Sequence, residues 1–361
     1  MRFRSFCTCL ALLASLALPS RAQDAAPWTI GDIKFNGLVD GYYTVNTSHP
    51  ASGNNGLYNF NVKANQFSLN MAKFSLSHAA DPVGFQLDFG FGRAFDIVHQ
   101  FEASTAPQFM RNIEQAYVSW KPAKTGGLQL DFGKFVTSAG AEVIESHTNW
   151  NYSRSLLFAW AIPYYHFGLR ATQPWGSHFT GGFQLVNGWN NVEDTNSGKT
   201  IGVIGNFTSS KVSWLNNYYT GPEKSGSNKG FRNLYDTTVL FTPTSKVSGY
   251  FNFDYGRDKN IGTGYQEWVG WAVAARGQVT DTSAVAIRGE WFDDKDGFNT
   301  GVAQVVKEVT ATYEYKWAKG LLTRLEYRRD WSDQRFFERG NGQFRKEQNT
   351  FTIGIIGYFG N

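Results

Sequence analysis

The side chains able to do chemistry suggest three kinds of site. Glu142, Glu145 and His147 lie close together, but their spacing places them neither on one helical face nor beside a fourth metal ligand. Asp293-Asp294-Lys295-Asp296-Gly297 looks like the start of a calcium loop, yet lacks the closing glutamate and reads as a solvated acidic loop. Serine, histidine and aspartate occur without a nucleophile elbow or any fixed-order signature. No cofactor and no enzymatic activity are expected. The remaining signal is ionic: Arg154 near the two glutamates, and Arg170, Arg276, Arg288, Arg324 and Arg328 interleaved with Glu290, Glu308, Glu314 and Glu326. Charges of this kind, turned towards water inside a wall, tune which ions and solutes pass a pore.

Such a wall is written in the hydropathy pattern. In Val83-Gly84-Phe85-Gln86-Leu87-Asp88-Phe89-Gly90-Phe91 every odd position is apolar and every even one polar or glycine, the signature of a strand with one greasy and one wet face. The same period marks strands near 33–45, 67–78, 83–91, 113–121, 128–135, 164–173, 178–187, 199–207, 212–219, 234–241, 247–256, 268–277, 284–291, 305–317, 321–330 and 350–359. A change of phase between Met71 and Phe74 predicts a bulge near Ala72-Lys73. Short turns alternate with long polar loops at about 46–66, 92–112, 136–163, 188–198, 220–233, 257–267, 292–304 and 331–349. Aromatics mark both ends of the apolar stripe: Trp120, Phe241, Trp317 and Phe359 by the turns, Phe91, Tyr165, Tyr255 and Trp291 by the loops. The expected fold is all-β: a transmembrane antiparallel up-and-down barrel of about sixteen strands, with short periplasmic turns and long extracellular loops.

Composition agrees. Of 361 residues, 16% are aromatic and 18% charged, with 38 glycines and 10 prolines. A mean hydropathy of −0.37 without a long apolar run in the body excludes a helical membrane protein. So aromatic a chain is not disordered, and a net charge of +4 is too weak for a nucleic-acid binder. Arg2 and Arg4, the apolar run Phe6 to Leu18 and the small residues before Gln23 predict a cleaved leader at 1–22. Both cysteines, Cys7 and Cys9, fall inside it. Residues 23–361 are then one barrel domain, exported to the outer membrane and free of disulfides.

Gly133-Lys134-Phe135, Gly140-Ala141-Glu142, Asn151-Tyr152-Ser153-Arg154-Ser155 and Pro163-Tyr164-Tyr165-His166-Phe167-Gly168-Leu169-Arg170 resemble motifs of the OmpL-like β-barrel porins. The resemblance implies an outer-membrane channel and nothing finer. Such barrels commonly end on an aromatic, whereas here Gly360 and Asn361 follow Phe359.

The longest loop, 136–163, carries apolar Leu156, Leu157, Phe158 and Trp160 beside Glu142, Glu145 and Arg154. An apolar run is out of place on a water-exposed loop, so this one is expected to fold into the lumen, with a surface lid as the alternative. In a ring of sixteen strands the facing wall holds Arg276, Arg288, Arg324 and Arg328. A constriction is therefore expected with glutamates on one side and arginines on the other. Pairing through the turn 280–283 sets Arg276 opposite Arg288, and pairing through 317–320 sets Glu314 opposite Arg324. The expected function is passive diffusion of small hydrophilic solutes. A carbohydrate-selective pore, with Trp150, Trp160, Trp189 and Tyr250 stacking on sugars, and a structural or adhesive barrel are the alternatives. Expected partners are outer-membrane lipids and small solutes, with no nucleic acid; a homotrimer is an assembly the architecture allows.

Overall fold

The computed structural model describes residues 28–102, 107–260, 262 and 264–360; the leader expected at 1–22 lies outside them. Sixteen strands form the wall. The first eight are β1 Ile33–Asn46, β2 Phe67–His78, β3 Val83–Phe91, β4 Ile113–Trp120, β5 Gln129–Val136, β6 Tyr165–Trp175, β7 Phe179–Val186 and β8 Thr200–Thr208. There follow β9 Val212–Lys224, β10 Ser227–Thr244, β11 Val247–Asn260, β12 Gly264–Gln278, β13 Ser283–Asp294, β14 Gln304–Ala318, β15 Leu321–Ser332 and β16 Glu347–Phe359. Each pairs antiparallel with the next, and β16 returns to β1 from Thr350↔Asn46 to Phe359↔Gly37. The ring is closed. Closure pairs the backbone groups that an open edge would expose, as lipid demands. A short N-terminal strand, Trp28–Ile30, folds back on β1 with Trp28 opposite Phe35.

Alternation decides which way each side chain faces. On β12 and β13 Val273 and Ile287 are exposed outward, whereas Ala272, Ala274 and Arg288 are buried inside. Trp120, Phe241 and Phe91 stand exposed at the two rims. Tyr165 does not join them: it is 1% exposed, and its hydroxyl donates to Glu102 Oε1 and Asn190 O, both at 2.6 Å. Loop residues cover that part of the outer wall.

Three expectations are corrected. The β1–β2 register slips between Asp40↔Met71 and Gly41↔Leu69, so the extra residue is Asn70 rather than one near Ala72-Lys73. Its amide turns inward and donates to buried Asp40 at 2.7 Å. The loops expected at 220–233 and 257–267 are mostly strand, with β9–β10 paired as far as Lys224↔Ser227 and β11–β12 as far as Asn260↔Gly264. Most residues of these extensions are exposed or half-buried whichever face they occupy, so backbone pairing continues where hydropathy no longer alternates. Between β12 and β13 the chain reverses one residue earlier than expected, with Val279 N bonded to Ser283 O at 2.9 Å. Arg276 therefore faces Ala286, and Arg288 faces Ala274. The expected pair of like charges does not form.

Candidate functional site

Strands β12, β13 and β15 carry a row of inward arginines, and the chain between β5 and β6 is tied to them. Arg288, fully buried, pairs with Glu142 Oε1 at 2.6 Å and with Glu290 and Glu308 at 2.9 Å each. It also donates to Ser153 O at 2.9 Å. Arg324 pairs with Glu314, directly opposite on β14, at 2.7 Å. Its Nη1 and Nη2 groups also donate to four loop carbonyls: Ser146, His147, Asn149 and Asn151. Arg328 holds Asp330 at 2.7 Å and donates to Arg154 O, also at 2.7 Å. Between the arginines, the Glu326 carboxylate accepts from Tyr152 N at 2.6 Å and Ser153 N at 2.9 Å. A guanidinium has five donors in a rigid fork, which explains how one side chain fixes a whole turn of loop backbone.

The adjoining wall, β16 to β4, holds the other edge of the loop. Asp40 on β1 accepts from Tyr152 Oη and Ser146 Oγ, each at 2.6 Å. Gly354 on β16 makes room for that tyrosine, since a Cβ there would come within 2.4 Å of its ring. On β2, Lys73 gathers Asp88 of β3 at 3.1 Å, Glu114 of β4 and Glu145 of the loop. The three carboxylates approach within 4.8 Å of one another, and the Lys73 ammonium occupies the place a cation would take. Burial pushes the Glu145 carboxyl up, but the Lys73 charge, the hydrogen bond from the same ammonium and smaller contributions together hold it below its ordinary value.

Apolar packing completes the attachment. Leu156, Leu157, Phe158, Ile162 and Tyr164 are buried with Leu57 and Phe60 of the loop between β1 and β2. Asn59 of that loop donates to Ala159 O at 2.7 Å and Tyr164 Oη at 2.6 Å. Arg154, expected to face the pore, is 3% exposed; it donates to Tyr152 O at 2.6 Å and packs 4.5 Å from the Phe60 ring centre. Glu142 does not look at the arginines across water. It touches one.

The residues that retain access to solvent lie nearer the short turns. A cavity of about 360 Å³ is lined by His147, Trp150, Arg276, Lys316, Arg324 and Tyr358, with Glu314 at its edge. Arg276 keeps 24% of its side chain exposed while pairing with Glu314 at 3.1 Å. His147 stacks on Tyr358 with ring centres 5.0 Å apart, and burial lowers its pKa to about 4, so it is neutral at pH 7. Counting formal charges, this wall carries three cations against Glu314, and the Lys73 group three carboxylates against one ammonium. The two groups of opposite net charge lie on adjoining arcs of the ring, β12 to β16 and β2 to β4, with Glu145 and His147 of the loop joining them.

The other candidates are engaged elsewhere. Trp150 packs 5.2 Å from Tyr250, Trp160 donates to Leu57 O at 3.1 Å, and Trp189 lies 4.9 Å from the Arg232 guanidinium. Asp294 accepts from Thr300 N at 2.7 Å and Asn299 N at 3.0 Å, and Asp296 from Glu267 N at 2.8 Å, so the calcium-like loop spends these carboxylates on its own backbone and a neighbouring strand. Arg170 pairs with Asp131 at 2.9 Å. Sequence reading missed Asp40, Lys73, Asp88 and Glu114. Their inward phase was legible from alternation, but not which of them would meet.

A family model described as "Putative beta-barrel porin-2, OmpL-like" matches residues 32–359, which is the whole ring. The chain belongs to that family. This makes it an outer-membrane channel of the porin type. Solved porins share its fold at low identity. Salmonella typhi OmpF in complex with daunomycin is 14% identical, with a TM-score of 0.62 over 92% of this chain and 99% of that one. The anion-selective porin from Comamonas acidovorans is 12% identical, with a TM-score of 0.61 over 91% and 99%. The trimer form of in-vitro folded OmpT from Vibrio cholerae is 13% identical, with a TM-score of 0.58 over 91% and 99%. A search of curated protein sequences gives no match.

Proposed function

We propose that this OmpL-like porin passes small hydrophilic solutes passively and that its 137–164 segment sets the width and charge of the path. The observation that carries this reading is Arg324, which binds four carbonyls of that segment and one glutamate of the wall. Bound in this way at its middle, the segment acts as a fixed constriction and not as a surface lid. The cations around Arg276 and the acidic group around Lys73, on adjoining arcs of the ring, set up a field beside the path, which low-dielectric walls concentrate. Each group carries a net formal charge of two, opposite in sign, so the pair orients a solute without selecting one sign of ion. The engaged aromatics leave a sugar slide without support, and the tied segment is unlike the free loop tips an adhesive barrel would present. In this reading the reaction chemistry of an enzyme has no place, the leader at 1–22 exports the chain, and the barrel assembles as a homotrimer, as in the trimer form of the Vibrio relative.

Mature protein in planar bilayers should give stepwise, ohmic conductance, and deleting 142–160 should raise both the step size and the solute size limit in liposome swelling. Unchanged values in a deletion that still folds would place the segment outside the permeation path.

A further inference from the structure

The outer surface of the barrel carries a feature that conduction does not use. One register row crosses the wall as Trp271↔Trp291↔Lys307↔Trp331↔Glu347. It lies at the long-loop end of the apolar band. Lys307 is exposed between two indoles, and among the described residues it has neither a hydrogen bond nor an ion pair. Asp293 and Asp333 stand one row further towards the loops and do not pair with it. One row towards the membrane centre, Arg329 is exposed and paired with Glu347. The remaining outward positions of β12 to β15 from there to the short turns are uncharged. A lone ammonium on a lipid-facing wall is costly unless something neutralises it.

Beneath Lys307 the wall is hollow. A groove of about 590 Å³ runs over Gly289 between Val273, Ile287 and Val309, roofed by Trp291 and Trp331. It continues, through shared Ala275 and Ile287, into a second apolar groove of about 730 Å³ lined by Ala311, Leu325 and Phe351. Small side chains thus open a channel along the outside of the wall from the indole row towards the membrane centre.

We infer that Lys307, the flanking tryptophans and the Gly289 groove form a docking site for a phosphorylated, multiply acylated glycolipid of the outer leaflet. The ammonium neutralises a phosphate, the indole faces cover sugar rings, and an acyl chain lies along the groove. Charge complementarity commits the site to an anionic head, and the length of the grooves to a chain beneath it. An amphipathic belt at this height is where headgroups meet a barrel.

The test is native mass spectrometry of delipidated, detergent-held protein with an acylated, bis-phosphorylated glucosamine disaccharide, its dephosphorylated form and phosphatidylglycerol. One phosphorylated glycolipid should be retained per chain. Lys307→Gln should lower its occupancy about fivefold, the usual worth of one basic side chain at a lipid surface. Gly289→Leu should lower it too. A Cβ at 289 meets nothing closer than Glu308 O at 3.9 Å, so that variant blocks the groove without straining the strand. Bilayer conductance should be unchanged in both, which separates this site from the pore. Wild-type occupancy in both variants would overturn the site. Equal retention of the dephosphorylated lipid or of phosphatidylglycerol would overturn the phosphosugar occupant. A change of oligomeric mass in Lys307→Gln would show that a second copy of the chain covers the row.

Discussion

Two side chains in the periplasmic half of the lumen give separable predictions. Arg276 is the arginine of the row that keeps partial exposure, whereas Arg288 is buried among three carboxylates. Reversing Arg288 would add a fourth negative charge there and cost several kcal/mol, roughly 3–5 by comparison with broken buried pairs. Arg276→Glu is the usable variant. It should fold, place a carboxylate beside Glu314, and move the reversal potential in a salt gradient towards cations. The shift should fade near 1 M salt, where screening acts within about 3 Å. His147 predicts a pH effect. Burial, with Arg324 and Lys73 disfavouring its charge and Glu145 favouring it, lowers its pKa from 6.5 to about 4. The unfolded chain therefore takes up the proton first as pH falls. The contribution of the neutral ring is complete above pH 6.5 and is lost progressively down to about 4. His147→Phe keeps a ring on Tyr358 and carries no proton. Its melting temperature should fall less than that of the wild type between pH 7 and pH 5, and equal losses would refute the assignment.

The constriction segment depends on a glycine in a neighbouring strand. Gly354 leaves the hollow into which the Tyr152 ring fits, and Tyr152 is what reaches Asp40 on β1. Gly354→Val should leave β16 paired, because the clash falls on a side chain rather than on backbone. It should free one edge of the segment, costing about 1–3 kcal/mol for a buried partner left unpaired. Noisier, larger single-channel steps are the expected result; steps identical to wild type would mean the tyrosine is not a strut. This dependence shows where sequence reading stops. The alternation in Val83 to Phe91 fixed a strand, its facing and its rims. The apolar run Leu156 to Trp160 beside three charges pointed to a segment turned inward. Neither could reveal that Lys73, Asp88, Glu114 and Glu145, on four separate pieces of chain, converge on one point. Period reports the neighbours along a strand, and this meeting joins three adjacent strands and a loop folded onto them. The Arg276–Arg288 error had a similar origin, since one residue in a turn changes which side chains face each other.

For the molecule as a whole, closure makes stability collective. The sixteen strands share one ring of backbone bonds without a free edge, and the wall is clamped from inside by the loops 47–66 and 137–164. The protein should therefore migrate as a compact, heat-modifiable band in dodecyl sulfate, and the 142–160 deletion should lower the temperature at which that band is lost. Retention of the wild-type temperature would mean that the internal ties add nothing to the ring. Crosslinking in native membranes reads the oligomer directly, and three subunits are expected.

The ties from Arg288, Arg324 and Arg328 join residues 135 to 178 positions apart in the chain. Nascent β5 and β6 cannot find these partners, because strands β13 to β15 arrive later in the chain. During insertion the segment must wait, solvated, inside a half-built wall until the last strands come home. A newly closed barrel is thus first a wide one, and narrowing is the final act of its assembly. The maturation should be visible as a slow decline of current after refolding, complete only when the arginines of the late strands have collected the carbonyls of the early loop.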